Sequence, residues 1–176
     1  MNYKGHLAIN TAVLGGVYFL TRDYVEMPDQ INFAAGYVFA SFFLSPDLDL
    51  FYSTATKNWK FLRILWWPYS KLMKHRGLSH SLFLATITKL LYMSFVALSI
   101  YMGIIMLALY IDNGEMVYSG QHMLEGVRAF VYTGFELFKE HWVHLRYILL
   151  GVWVSDIAHI LIGDRITSAL KIILKP

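Results

Sequence analysis

Residues 90–111 run for twenty-two positions without one charged side chain. That matches the roughly 20 residues a helix needs to cross the hydrocarbon core of a bilayer. A soluble core helix seldom stays apolar on every face for so long, because one side of it meets water. The chain as a whole is 57% hydrophobic and only 15% charged, against roughly 25% charged in an average soluble domain. So few charges exclude disorder and a free coiled coil, and they argue against a soluble monomer. The 176 residues suit a single domain, 1–176. Cysteine is absent, which excludes a disulfide framework, thiolate-held zinc and a cysteine nucleophile. A net charge of +3 is too small to argue for nucleic acid, and none is expected as a partner.

Three weaker apolar segments, 7–20, 31–44 and 147–162, have the length of a core helix or a shallow membrane segment. Residues 1–20 imitate a signal peptide, but the single Lys4 and the lack of a small-x-small cleavage site argue against removal. Residues 46–81 carry Lys57, Lys60, Arg63, Lys71, Lys74 and Arg76 against Asp47 and Asp49, net +4, and residues 164–176 are net +2. Residues 21–29 and 112–146 are each net −2. Lys/Arg-rich segments stay in the cytoplasm, so four crossings put both termini and the 46–81 loop on that side. Trp66, Trp67 and Tyr69 around Pro68 read as interfacial rings. Leu124, Val127, Val131, Phe135, Phe138 and Trp142 recur at helical spacing and predict an amphipathic helix. The expected fold is an all-α integral membrane helical bundle, with about four spanning or deeply embedded helices plus that amphipathic one. Its location is the cytoplasmic (inner) membrane, multi-pass.

The polar residues that interrupt this pattern fall together. His6 opens the first helix, with Asn10 one turn later on the same face. Pro46 biases Ser45 away from helix, so Asp47 and Asp49 are expected to project from an extended turn. His75 and His80 bracket Arg76-Gly77-Leu78-Ser79 just before the long apolar helix. Asp156 and His159 are three apart within the fourth segment, hence on one helical face. The topology brings His6, Asp47, Asp49, His75, His80, Asp156 and His159 to one depth at the cytoplasmic ends of their segments. Imidazole and carboxylate donors without thiolate suit zinc, manganese or iron, one ion or more. Taken singly, each has a plainer reading: Asp47 and Asp49 as a helix cap, His75 and His80 as part of a headgroup patch, His159 as a bundle histidine. His122, His141 and His144 fall on the predicted outer side and read as surface residues.

Three runs then carry a resemblance. Leu44-Ser45-Pro46-Asp47-Leu48-Asp49-Leu50, Leu62-Arg63-Ile64-Leu65-Trp66-Trp67-Pro68-Tyr69 and His75-Arg76-Gly77-Leu78-Ser79-His80-Ser81 follow in order. Together they resemble a family of uncharacterised metal-binding membrane proteins found widely in bacteria. The chain is more loosely similar to the YdjM-like inner-membrane metal-dependent hydrolases, which share a Pro-Asp-x-Asp and a His-Arg-Gly-x-Ser/Thr-His element. The resemblance runs through about Tyr92. Downstream, only Asp156-Ile157-Ala158-His159 matches its late acidic and histidine positions, and Lys89 stands where it calls for arginine. The looser group is thought to resemble zinc-dependent phospholipase C and S1-type nucleases. That implies a phosphodiester or phosphomonoester hydrolase with His6, Asp49, His75, His80 and Asp156 as ligands. The late ligands are closer together here than in those enzymes, which argues against a full trinuclear site.

The sequence thus leads to a metal-dependent hydrolase at the cytoplasmic membrane face, acting on a membrane lipid or a membrane-proximal phosphate ester. His6, Asp49, His75, His80, Asp156 and His159 are the expected metal residues. Arg76 is placed to steady the phosphate through its planar fork, and Asp47 to act as general base. Two alternatives stand beside it: a non-catalytic membrane protein with a closed structural zinc, and a metal or proton transporter with Asp156 and His159 on its path.

Overall fold

Three consecutive carbonyls at the end of one helix show how this chain ties its segments together. The second helix, α2 (Met27–Phe43), follows α1 (Tyr3–Thr21) and starts with Pro28 and Asp29 in its first turn. Both favour a helix start, proline by its fixed φ and the acid by the helix dipole. Its last carbonyls have no partner within the helix. Asn58 Nδ2 donates to Phe42 O at 2.8 Å, Trp59 Nε1 donates to Phe43 O at 2.8 Å, and Lys89 Nζ donates to Leu44 O. Side chains from two later segments therefore fix where the chain leaves α2.

The computed structural model describes residues 3–73, 77, 80–113 and 120–163, and all their regular structure is helical. A tight 3-10 turn, Pro46–Asp49, follows α2. Then come α3 (Thr54–Asn58), a second 3-10 stretch (Lys60–Trp66), α4 (Trp67–Leu72), α5 (Leu84–Asn113) and α6 (Gly120–Ile157). A π-helical turn, Ala158–Gly163, extends α6. The chain divides into two compact units, one of Met1–Lys89 with His144–Pro176 and one of Leu90–Val143.

In the first unit α1 packs on α2 and on the π turn. The α2–α6 crossing is close enough for backbones to touch. A Cβ added at Gly36 would lie 2.1 Å from Ile148 O, and one at Gly151 would lie 2.2 Å from Phe33 O. Only glycine permits such an approach. Trp59, Trp66 and Tyr69 pack in sequence, tilted and then edge to face, with ring centroids 5.4 and 5.6 Å apart. Trp66 and Tyr69 are buried, whereas Trp67 is exposed. The interfacial reading is corrected for Trp66 and Tyr69: their rings fill a core cluster instead of anchoring at a headgroup zone.

In the second unit Tyr101 and Phe130 meet at 5.4 Å, and Gly126 gives room to Met102. Here too one expectation is revised. The stripe from Leu124 to Trp142 and the apolar segment 147–162 are not separate elements, because α6 runs unbroken through both. His141, His144 and Arg146 suggest a loop by their polarity, yet no glycine or proline interrupts residues 135–150. Among the described residues, two helical stretches are long and apolar enough to cross a membrane, Leu84–Ala108 and Met123–Ile162. The first apolar segment gives only the shorter stretch Leu7–Thr21.

Candidate metal centre

The Ser45-Pro46 step ends α2 as its chemistry requires. Ser45 takes ψ 148°, and its hydroxyl accepts a hydrogen bond from Asp47 N at 3.4 Å. Pro46 then starts a 3-10 turn rather than the extended turn expected. Successive residues rotate about 120° in such a turn, so Asp47 and Asp49 leave it in different directions. Both nevertheless reach His80, one on each side of the ring. Asp47 Oδ1 lies 3.8 Å from His80 Nε2, and Asp49 Oδ2 lies 3.6 Å from His80 Nδ1. The other oxygen of Asp47 lies 3.5 Å from His159 Nε2.

His159 arrives from the π turn at the end of α6. A π turn admits an extra residue, which re-aims the side chains within it, and such turns gather at functional sites. The His80 and His159 ring centroids are 6.3 Å apart. One donor atom each from Asp47, His80 and His159 lies within 4.8 Å of the others. The side chains of His80, His159 and Asp49 are at most 7% exposed, whereas that of Asp47 is 32% exposed. Asp47 also lines a cleft of about 290 Å³, together with Asn10, Ser41, Ser45, Ser53 and His159.

These separations tell against direct hydrogen bonds between the three residues, since an N–H···O bond spans about 2.7–3.2 Å. Two ligands of a tetrahedral ion with bonds near 2.0–2.1 Å stand about 3.3 Å apart. The gaps of 3.5 and 3.8 Å are close to that edge. Among the described residues, two imidazoles and one carboxylate offer three donors to an ion. The residues fit a divalent transition metal.

A second polar group sits beside this one. Lys89 Nζ contacts Asp156 Oδ1 at 2.6 Å, Thr86 Oγ1 donates to Asp156 Oδ2 at 2.5 Å, and Lys89 also holds Leu44 O. Lys89 and Asp156 are both fully buried. Asp156 gives both oxygens to these partners, although its spacing from His159 had suggested a shared role as ligand. Lys89 is the residue that sequence reasoning undervalued. It is the last charge before the uncharged run, and a cation at the edge of such a run needs a partner. Nearby, burial pushes the Tyr69 phenol up to about 12, opposed by its hydrogen bond with Thr88 and helped by the charges of Asp49 and Asp156.

The structure thus gathers Asp47, Asp49, His80 and His159, and it sets Asp156 against Lys89. His6 lies in α1, with its side chain outside the described residues, and His75 and Arg76 also lie outside them. The sequence had cast Asp49 as ligand and Asp47 as base. Here Asp47 faces both imidazoles and the cleft, while Asp49 is buried behind His80.

An all-α chain with a His/Asp cluster at the ends of its helices defines a metal-binding protein class. The chain belongs to the uncharacterized metal-binding protein family DUF2227, whose model matches residues 4–174. It is also similar to an uncharacterized protein of Aquifex aeolicus (strain VF5), with 48% identity over 64 residues. That match covers 36% of this chain and 45% of the relative, so less than half of the relative's length is spanned. No solved structure matches the chain.

Proposed function

We propose that this protein is a metal-dependent hydrolase acting on a phosphate ester at a membrane surface, with zinc as the preferred ion. One observation carries the reading: the Asp47, His80 and His159 donors converge beside an open cleft of about 290 Å³. A structural zinc has four protein ligands and no open position. Here the 32% exposure of Asp47 leaves one side accessible, which favours catalysis over a purely structural ion.

Asp47, His80 and His159 would hold the ion. When bound, it would polarise the phosphoryl oxygen and bring a water's pKa toward about 7. Asp49, with Oδ2 3.6 Å from His80 Nδ1, would favour a proton on that nitrogen through its charge and leave Nε2 to the ion. His6 and His75 keep the role that the sequence suggests as ligands, here of a further ion, and Arg76 that of a phosphate clamp. The membrane part rests on Leu84–Ala108 and Met123–Ile162, and on the exposure of Phe95, Ile100, Ile104 and Leu107 along α5. A charge-free helix with such side chains outward suits a lipid surrounding. The choice of phosphate ester follows only from the looser sequence resemblance to YdjM-like hydrolases, to which the family match does not extend.

The test is metal analysis of detergent-purified protein, together with turnover of a panel of phosphate mono- and diesters. Bound zinc with turnover abolished by His80→Ala is the expected result. A tightly held ion without turnover of any ester would replace this reading with the structural one.

A further inference from the structure

Asn10 is a polar side chain with no visible occupation. It lies on α1 one turn after His6, is only 6% exposed, and lines the same cleft as Asp47 and His159. Among the described residues its amide makes no hydrogen bond. Its amide atoms are not sealed off within the protein, so they meet whatever fills the cleft, water or a ligand. Its neighbours around the cleft are hydroxyl-bearing: Ser41, Ser45, Ser53 and Thr54.

We propose that Asn10 is a ligand-recognising residue, and that the cleft takes an uncharged polyhydroxyl group such as a glycerol or sugar moiety. A carboxamide offers both donors and an acceptor, and so does each alcohol of a polyol. Among the described residues no Lys or Arg lines the cleft, so away from the donor cluster its wall suits an uncharged group. At about 290 Å³ the cleft sits at the lower end of small-ligand sites, roughly 300–1,000 Å³, a size for a small head rather than a long chain. As a substrate assignment this deepens the proposed function: the polyol is the alcohol side of the phosphate ester. The binding claim itself needs no metal.

The experiment uses the full chain in a detergent without a sugar head. Saturation-transfer NMR with glycerol and methyl glucoside, on metal-free protein, reads the cleft directly. Wild type should show transfer to at least one of the two, and Asn10→Leu should lose it. Asn10→Ser, which keeps a donor and an acceptor, should retain part of it. Zinc-loaded protein is then titrated with glycerol 1-phosphate, its lysolipid counterpart and ethyl phosphate. Glycerol 1-phosphate should bind about tenfold more tightly than ethyl phosphate, the worth of one or two hydrogen bonds. Asn10→Leu should erase that preference without changing zinc content. Much tighter binding of the lysolipid than of glycerol 1-phosphate marks a lipid headgroup as the source, and equal binding marks a soluble ester. Absence of transfer in wild type, or an Asn10→Leu protein that melts higher with transfer unchanged, overturns the proposal. Failure to bind zinc or turn over esters, with transfer intact, sinks the hydrolase reading alone.

Discussion

Two polar clusters in the first unit use the same three pieces of chain, the end of α2, the entry to α5 and the end of α6, yet they are built oppositely. The Lys89–Asp156–Thr86 cluster is closed, with contacts of 2.5 to 2.6 Å, its two charges fully buried and Thr86 buried beside them. The Asp47–His80–His159 cluster is looser, with contacts of 3.5 and 3.8 Å and one member at the surface. Within the closed cluster charge meets charge. In the open one the donors face a gap too wide for hydrogen bonds and suited to an ion. The first holds backbone in place through Leu44 O, and the second is the site proposed above for the ion.

The largest expected effect breaks the closed cluster. Lys89→Met leaves a buried carboxylate without its cation, held only by Thr86, and should cost about 3–5 kcal/mol, read by thermal or denaturant unfolding in detergent. The double variant Lys89→Met/Asp156→Leu should recover much of that, because the uncompensated charge is gone. If the single variant is no less stable than the double, the pair is not a mutual neutraliser.

Next comes metal withdrawal. With zinc at a hundred times its Kd, chelation should lower stability by about 2.7 kcal/mol, and His159→Ala should already lack that increment. An unchanged chelator response in His159→Ala would separate this histidine from the ion. A finer contrast is Asp47→Asn against Asp49→Asn. The first should remove most zinc at equal concentration. The second should weaken affinity tenfold to a hundredfold, the usual cost of losing a carboxylate behind a ligating histidine. The opposite order would restore Asp49 as ligand and Asp47 as base.

The smallest effect is alkaline and belongs to neither cluster. Tyr69 keeps its proton up to about 12 in the folded chain, while an unfolded tyrosine loses it near 10. The folded state binds that proton more tightly, so its share of stability is intact below about pH 10 and is lost as pH rises toward about 12. Tyr69→Phe should flatten that part of the stability curve, on top of a pH-independent loss of about 1 kcal/mol for the Thr88 hydrogen bond.

These residues also show what could be seen beforehand. The uncharged run announced α5, and Ser45-Pro46 announced the end of α2, because both signals are local. Continuity of α6 was hidden, since its middle carries polar residues that mimic a loop while nothing there actually breaks a helix. The approach of Asp47, His80 and His159 was readable as proximity in depth, not as roles. Which carboxylate faces the imidazoles depends on how a 3-10 turn is rotated, a property of packing rather than spacing. Lys89 and Asp156 are 67 positions apart, and no periodicity links them.

The glycine crossing of α2 and α6 has a geometric consequence for any ion at the site. From Gly36 to the end of α2 is about 10 Å of helix. Two rods touching at one point act as a pair of shears: a tilt of about 5° at the pivot moves the blade tips by about 1 Å over that length. Metal–ligand distances tolerate only about 0.2 Å, so the angle must hold to about one degree. A methyl group at Gly36 or Gly151, far from every donor atom, would open the shears.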